Sequence, residues 1–323
     1  MKDNRIGFID AAKCILIWLV ILGHIIERYM VEGSILMSAF NFIFSFAMPA
    51  FIIISGYFTN ADRSLHGLPK LFETYIVFQL LHAIVDLDYS LVRFIFYPKW
   101  TMWYLMSLFW WKLALYIFNR YSKNIYLFLV VAILLSEIAP YIKIPVYLLA
   151  IERTISYLPF FLIGVIMRDF DVERIRKVKA IRAISLVIII ISIIASLRFP
   201  IETRWMFNWN SLYYDMPITL PVAPLVRIIA IMGCSIIATS VIIITPEKFT
   251  LLRQEGKNSL FYYMWHSILL TIIFAFIQHF DISIGFIGSL GLWIALISTL
   301  MLMTRIKLFT ILLNPYSCYK KIN

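Results

Sequence analysis

Charged residues are scarce in this 323-residue sequence, at 15% of the chain, whereas a soluble domain carries about 25%. Cysteines are also few: Cys14, Cys234 and Cys318 lie far apart and form no CxxC pair, so we expect neither a disulfide framework nor a metal site. The sequence contains no Walker motif, no GxGxxG after a strand, no HExxH and no GxSxG. These absences argue against an ordinary cytosolic enzyme, a disordered chain or a disulfide scaffold.

Apolar residues fill the sequence instead: 62% of it is hydrophobic, and the mean hydropathy is +0.87. A bilayer helix needs about 20 mostly apolar residues. With that criterion the sequence predicts an all-α, polytopic integral membrane protein with about ten transmembrane helices in one domain, residues 1–323. The predicted spans are 7–29, 36–58, 71–92, 101–119, 125–142, 147–167, 181–198, 217–245, 258–279 and 284–313. The third is the most polar, the sixth is interrupted by Glu152 and Arg153, and the last is long enough to bend.

Basic residues exceed acidic ones, 29 to 18, which gives a formal net charge of +11. With the N-terminus inside, 19 of the 29 lie in inner segments, 7 in outer segments and 3 within spans. This bias predicts cytoplasmic N- and C-termini and explains the excess without a nucleic-acid partner. The densest basic stretch, residues 168–182, is typical of an anchor on anionic lipid. A docking site for a phosphorylated donor such as coenzyme A is the alternative.

Charged side chains are costly inside a bilayer, so the polar groups of the first span suggest function. At about 100° per residue, Asp10, Lys13, His24 and Arg28 share one face of this helix, which is typical of a helix that lines a polar cavity. Lys13 and His24 are separated by about 16 Å along the axis, so they cannot bond to each other. Asp10 and Lys13 in the first apolar stretch also argue against a cleaved signal peptide.

Each of these groups has a simpler interpretation as well. If these groups are purely structural, Asp10 and Lys13 form a self-neutralising pair, and His24 bonds a backbone carbonyl. His266 in the ninth span makes an interhelical hydrogen bond in the same reading. Glu152 and Arg153 pair at a helix start, and Asn258 or Ser259 caps a helix. The functional reading makes His24 a general base, because imidazole is the usual base near neutral pH.

Five short motifs, in the right order, resemble the membrane acyltransferase 3 family, and within it the fucose 4-O-acetylase-like branch. The first span holds Asp10-Ala-Ala-Lys13 and, after ten intervening residues, His24. The others are Phe46-Ala-Met-Pro49 with Ser55-Gly56-Tyr57, then Trp103-Tyr104-Leu105, then Arg153 with Pro159-Phe-Phe-Leu-Ile-Gly164, and finally Gly256-Lys-Asn-Ser-Leu260 with His266. The resemblance covers nearly the whole chain.

The chain departs from this pattern at two positions. The wider family usually has arginine where this chain has Lys13, and the branch accepts lysine; the charge is kept, but the bidentate guanidinium is not. The branch also commonly has histidine where this chain has Ala47. If that histidine handles the acceptor sugar, activity or substrate choice changes here; if it is structural, little changes.

The resemblance implies an enzyme that moves an acyl group, usually acetyl, from cytoplasmic acetyl-CoA to a carbohydrate hydroxyl of a cell-envelope or exported polysaccharide. The expected location is a bacterial inner membrane, with the lipid bilayer and envelope polysaccharide synthesis machinery as partners. We expect His24 to act as general base, with His266 and Arg153 stabilising the oxyanion or positioning the sugar. Donor contacts are expected from Lys13, Asp10 and Lys257, and substrate contacts from Asn258, Ser259, Ser55, Tyr57 and Trp103.

Two other classes of protein fit the same polar groups. A transporter or flippase for a glycan or small acid would use them as a relay, although the sequence has no inverted repeat or paired helices broken by Gly and Pro. An inactive homologue that scaffolds an envelope-synthesis complex is the other, and the change at Ala47 leaves this alternative open.

Overall fold

The computed structural model describes residues 6–143, 145, 147–220 and 222–313, and all regular structure among them is helical. The helices are α1 Gly7–Glu27, α2 Ile35–Tyr57, α3 Leu68–Val85, α4 Leu91–Phe96, α5 Trp103–Tyr121, α6 Ile125–Ile138, α7 Ile151–Met167, α8 Val172–Ile175, α9 Lys179–Arg198, α10 Arg204–Phe207, α11 Ala223–Ile244, α12 Thr250–Gly256, α13 Ser259–His279, α14 Phe286–Met303 and α15 Lys307–Ile311. The predicted all-α class is confirmed.

Eight helices in the described part of the chain are long and apolar enough to cross a membrane, which confirms a polytopic membrane protein. They are α1, α2, α3, α7 with the 3-10 turn before it, α9, α11, α13 and α14. The fourth predicted span is α5, and the fifth is the shorter apolar segment Ile125–Tyr141. The count of ten therefore stays a prediction, as does the single domain.

The orientation and the cytoplasmic ends also stay predictions. Cys318 and four of the counted basic residues lie outside the described residues, namely Lys2, Arg5, Lys320 and Lys321. The third span has the lowest mean hydropathy of the eight, 1.2. The last predicted span is interrupted after Met303, and α15 begins at Lys307.

The chain forms two compact units. The first consists of residues 1–58, 125–143 and 156–259, and the second of residues 59–124, 144–155 and 260–323. The boundary cuts α7 after Ile155, and it falls after Ser259 at the start of α13. Each unit is therefore assembled from segments that are distant in sequence.

In the first unit α1 and α2 form the core. In the most apolar window of α2, 83% of the residues are buried, compared with 11% in that of α9, so the Ile-rich surface of α9 is left exposed. Gly56 of α2 and Gly164 of α7 allow these two helices to touch: an added Cβ would lie 2.0 Å from the carbonyl oxygen of Phe161 and 1.9 Å from that of Ile53, respectively. Small residues at such crossings are typical of membrane helices.

In the second unit α3, α5 and α13 are linked by buried polar contacts. His82 on α3 lies 3.0 Å from the Ser267 hydroxyl on α13. The Tyr263 hydroxyl of α13 donates to the carbonyl of Thr101, just before α5, at 2.8 Å. Burial of these groups is tolerated because each has a partner.

Candidate active site

Asp10 and Lys13 form an ion pair on α1, one helical turn apart. The Lys13 ammonium lies 2.6 Å from the Asp10 carboxylate, and the two side chains are 22% and 7% exposed. The ammonium also lies 5.9 Å above the ring of Phe58. The carboxylate therefore holds a largely desolvated cation in a fixed position, an arrangement that both the structural and the donor-binding readings allow.

The predicted Gly-Lys-Asn-Ser segment packs on the main chain of α1 at Asp10. An added Cβ at Gly256 would lie 1.7 Å from the Asp10 carbonyl oxygen, so only glycine lets the two backbones meet. Lys257 follows immediately, and the Asn258 amide lies 3.5 Å from Glu255. The structure thus brings the predicted donor residues Asp10, Lys13 and Lys257 into one neighbourhood, with Asn258 and Ser259 next in sequence.

Arg176 extends this basic neighbourhood at the start of α1. Its guanidinium lies 4.1 Å above the Phe8 ring and 3.0 Å from the Glu247 carboxylate. It also donates to the carbonyl of Thr245. Its side chain is only 10% exposed, whereas that of Lys177, the next residue in the basic stretch, is 71% exposed. Part of the stretch is therefore packed into the protein.

Two buried guanidinium N–H groups lie at this end of the unit. Within the described residues, the buried Nε atoms of Arg176 and Arg253 have no hydrogen-bond acceptor. The Arg253 side chain also packs on Gly7, where an added Cβ would lie 3.1 Å from it. Sequence reasoning placed Arg253 and Arg176 among the inner charges but did not connect them, because α8 and α12 are about 75 residues apart.

His24 lies near the other end of α1 with a carboxylate one turn away. Its Nδ1 is 3.4 Å from Glu27 Oε2, and its ring meets Phe44 edge to face with centroids 5.8 Å apart. Gly23 makes room for that ring, since an added Cβ would lie 2.6 Å from Phe44. Sequence reasoning missed Glu27, although the spacing of three residues to His24 was the available signal.

On α2, three residues of the second motif occupy different environments. The Ser55 hydroxyl donates to the carbonyl of Phe51 in its own helix at 3.0 Å. The Tyr57 ring packs edge to face on Phe58, the ring below Lys13. Ala47 is 1% exposed, so the position where the branch has histidine is filled here by a small side chain in the core.

The second unit holds Arg153, Trp103 and His266. The guanidinium carbon of Arg153 lies 5.0 Å above the Trp103 ring and 5.5 Å from that of Tyr147. No acceptor within the described residues bonds its buried Nε. His266 is fully buried, with Nδ1 3.0 Å from the Tyr262 carbonyl and its ring 5.7 Å from that of Tyr263.

A further buried cluster in the first unit was missed by the sequence reasoning. Arg227, 4% exposed, donates from Nη2 to the Ser156 hydroxyl at 2.6 Å and lies 3.9 Å from Glu137 and 5.0 Å above the Trp209 ring. Tyr213 donates to Glu137 at 2.6 Å, and burial together with that carboxylate raises the pKa of Tyr213. Arg227 is one of the three basic residues within predicted spans, but its partners Ser156, Glu137 and Trp209 come from three separate segments.

The predicted site residues therefore divide between the units. The first holds Asp10, Lys13, His24, Ser55, Tyr57, Lys257, Asn258 and Ser259, and the second holds Arg153, Trp103 and His266. Among the described residues, no cluster of three or more His, Cys, Asp or Glu side chains is arranged to hold a metal ion.

Buried ionic and histidine groups within membrane-length helices define a class of polytopic membrane proteins that do chemistry or transport inside the bilayer. A family model described as an acyltransferase domain, Acyl_transf_3, matches residues 6–304. The chain belongs to this acyltransferase 3 family and is a membrane acyltransferase. No curated protein and no solved structure gives a significant match to it.

Proposed function

We propose that this chain is an O-acetyltransferase of a bacterial plasma membrane. It moves acetyl from acetyl-CoA to a sugar hydroxyl of an envelope or exported polysaccharide, and it works beside the machinery that makes that polysaccharide. Membership of the acyltransferase 3 family and the five motifs that resemble the fucose 4-O-acetylase-like branch support this substrate class.

The pairing of His24 with Glu27 carries the proposal. A general base needs a second group that fixes its ring and tautomer. If Nδ1 carries the hydrogen, the Glu27 carboxylate accepts it, and Nε2 is the ring nitrogen that carries the lone pair of a base. The 3.4 Å separation is long, but catalytic hydrogen bonds commonly tighten when substrate binds.

The reaction then follows acyl-transfer chemistry. His24 Nε2 takes the hydroxyl proton while the sugar oxygen attacks the thioester carbon, and the resulting oxyanion is stabilised by hydrogen-bond donors. Arg153 and His266 are the donors we assign to this role. When the oxyanion collapses, the C–S bond breaks, and the imidazolium returns its proton to the coenzyme A thiolate. A variant of the mechanism acetylates His24 first.

The basic neighbourhood at the start of α1 is our donor site. Lys13, Lys257, Arg176 and Arg253 supply cations there, and two of them carry buried N–H groups without an acceptor in the described chain. The pantetheine arm of coenzyme A extends about 16–18 Å. Lys13 and His24 are separated by about 16 Å along α1, so phosphates held near Lys13 would place the thioester at the depth of His24. Ser55, Tyr57, Asn258, Ser259 and Trp103 complete the substrate contacts.

The decisive experiment compares His24→Ala with His279→Ala in lipid nanodiscs. Labelled acetyl-CoA and a fucose- or hexose-containing glycan are supplied, and labelled glycan is measured. We expect His24→Ala to abolish transfer and His279→Ala, a histidine at an exposed helix end, to keep the wild-type rate. Transfer by His24→Ala at the wild-type rate would refute the assignment of the base.

The same assay separates the rival classes. Movement of the glycan across the bilayer without label indicates a transporter or flippase. If the wild-type protein neither transfers the acetyl group nor moves the glycan, it is an inactive scaffold.

A further inference from the structure

An open cavity of about 510 Å³ in the second unit takes no part in the site described so far. The connection between α3 and α5 forms most of its wall, and Tyr147 closes it from a distant part of the sequence. The lining residues that matter here are Asp88, Arg93, Tyr97, Lys99, Trp100 and Tyr147. Small-molecule sites in proteins commonly have volumes of about 300–1,000 Å³, so the cavity is of ligand size.

The wall of this cavity is held in place by one buried side chain. Gln79 on α3 is fully buried, and its carboxamide oxygen accepts from the Lys99 backbone N–H at 2.9 Å. Its amide group donates to the carbonyls of Phe94 and Tyr97 at 3.2 and 2.8 Å. The connection therefore keeps its shape without a ligand, which lowers the entropic cost of binding one.

The charges of the cavity balance one another. The Lys99 ammonium lies 2.5 Å from the Asp88 carboxylate and 3.4 Å from that of Asp86, and Arg93 lies 3.5 Å from Asp88. The hydrogen bond from Lys99 lowers the pKa of Asp88, which keeps this carboxylate ionised as an acceptor. Both lining cations, Lys99 and Arg93, are already paired with carboxylates, so an anionic ligand would have to compete with these carboxylates for them. A neutral ligand with hydroxyl groups finds both acceptors and donors.

Aromatic rings form the remaining surface. Trp100 and Tyr147 are 38% and 47% exposed, and Tyr97 is half-buried beside them. Exposed aromatic rings next to charged hydrogen-bonding groups suit an amphipathic ligand with an apolar face and polar edges. A pyranose ring has this character, since its C–H groups form faces and its hydroxyls lie at the rim.

The cavity also adjoins a residue of the proposed site. The ring of Tyr147 that lines it lies 5.5 Å from the Arg153 guanidinium. Tyr147 and Trp100 both have left-handed backbone conformations, with φ of 69° and 28°. Residues other than glycine rarely adopt this backbone conformation unless the surrounding structure holds them in it.

We propose that this cavity is a binding site for a neutral, hydroxyl-rich sugar residue of the acceptor glycan. The sugar ring stacks on Trp100 or Tyr147, and its hydroxyls bond Asp88, Lys99 and Arg93. This inference deepens the proposed function and rests on it where it identifies the sugar as the acceptor.

The test measures binding without requiring catalysis. The full-length protein in nanodiscs is titrated with methyl α-fucoside and methyl α-glucoside, and with methyl α-glucuronoside as the anionic counterpart. We expect the neutral glycosides to bind and Tyr147→Ala and Asp88→Asn to weaken them about five- to tenfold or more. Tyr121→Ala, which removes a 90% exposed tyrosine of the same unit, should leave affinity unchanged.

A second measurement tests the proposal in case Tyr147→Ala or Asp88→Asn fails to fold. Val92→Cys places a thiol on the cavity wall without removing a polar group, and Val31→Cys is an exposed control in the other unit. Cys14 and Cys234 are buried. Neutral glycosides should slow maleimide labelling at position 92 and not at position 31.

The outcomes separate the two proposals. Absence of neutral glycoside binding, preference for the glucuronoside, or unchanged affinity in both lining variants would overturn the cavity assignment. Normal transfer with an unchanged acceptor KM in Tyr147→Ala would overturn it as well, while the proposed function stands. Glycoside binding that depends on Tyr147 and Asp88 supports the cavity even if acetyl transfer fails, in which case the proposed function falls.

Discussion

The backbone of Gly256 lies against the carbonyl group of Asp10, so closely that an added Cβ would be 1.7 Å from the carbonyl oxygen and 2.4 Å from the carbonyl carbon. Because both atoms belong to the main chain, neither can rotate away as a side chain would. This contact joins the end of α12 to the helix that carries Lys13 and His24. It gives a structural reason for glycine in the Gly-Lys-Asn-Ser motif.

Gly256→Ala should therefore separate α1 from the end of α12. We expect loss of folded protein or a thermal midpoint lower by several degrees, since overpacking costs about 1–3 kcal/mol or more. Fluorescence-detected size exclusion after heating measures this. Gly291→Ala is the matched control, because nothing lies within 4 Å of its added Cβ and alanine favours a helix. Equal stability of the two variants would contradict the close approach.

The sequence was sufficient for the helices and for the faces of single helices. Hydropathy located a long helix in every predicted span, although the last span holds a second one, α15, and the 3.6-residue period placed Asp10 and Lys13 together. It was insufficient for contacts between segments. The contact between Gly256 and Asp10, and that between Arg176 and Phe8, depend on how helices pack, which periodicity does not encode.

The sugar cavity shows the same limit. Asp88 and Tyr147 are nearly 60 residues apart, and neither belongs to a regular helix, so no periodic pattern links them. In the sequence, Gln79 is only one of the residues that make the third predicted span the most polar. The structure gives it three hydrogen bonds and explains why a polar group is retained there.

Lys13 is predicted to hold the donor through its charge. Lys13→Met should raise the KM for acetyl-CoA by about 10- to 100-fold, since a charge-assisted hydrogen bond contributes about 1.5–3 kcal/mol. Lys13→Arg should keep KM near the wild-type value because the cation is retained. The double variant Asp10→Asn with Lys13→Met controls for the unpaired carboxylate that Lys13→Met leaves. An unchanged KM for acetyl-CoA in the double variant would show that Lys13 does not bind the donor.

Arg176 is predicted to contact a phosphate of coenzyme A and not only to anchor the chain on lipid. The wild-type enzyme should prefer acetyl-CoA over acetyl-dephospho-CoA, and Arg176→Ala should reduce this preference. A purely structural role would alter both donors equally. Lys177→Ala is the control, because this lysine is 71% exposed in the same basic stretch. If Arg176→Ala loses equal activity with both donors, or if only Lys177→Ala changes the donor preference, the basic stretch is better explained as a lipid anchor.

The cluster around Arg227 is predicted to hold the connection between α9 and α11 against α6 and α7, within the first unit. Arg227→Met leaves the Glu137 carboxylate buried without its cation and should cost about 3–5 kcal/mol. Tyr213→Phe removes one hydrogen bond to the same carboxylate and should cost about 1–3 kcal/mol. The pair Arg227→Met with Glu137→Met removes both charges and should recover part of the loss, which thermal unfolding in detergent measures. Tyr214→Phe, a tyrosine 65% exposed beside Tyr213, should have no effect. If the double variant loses as much stability as the sum of the single variants or more, Arg227 and Glu137 do not stabilise one another, and other contacts hold the connection, such as those of Asn41 with Ile201 and Thr203.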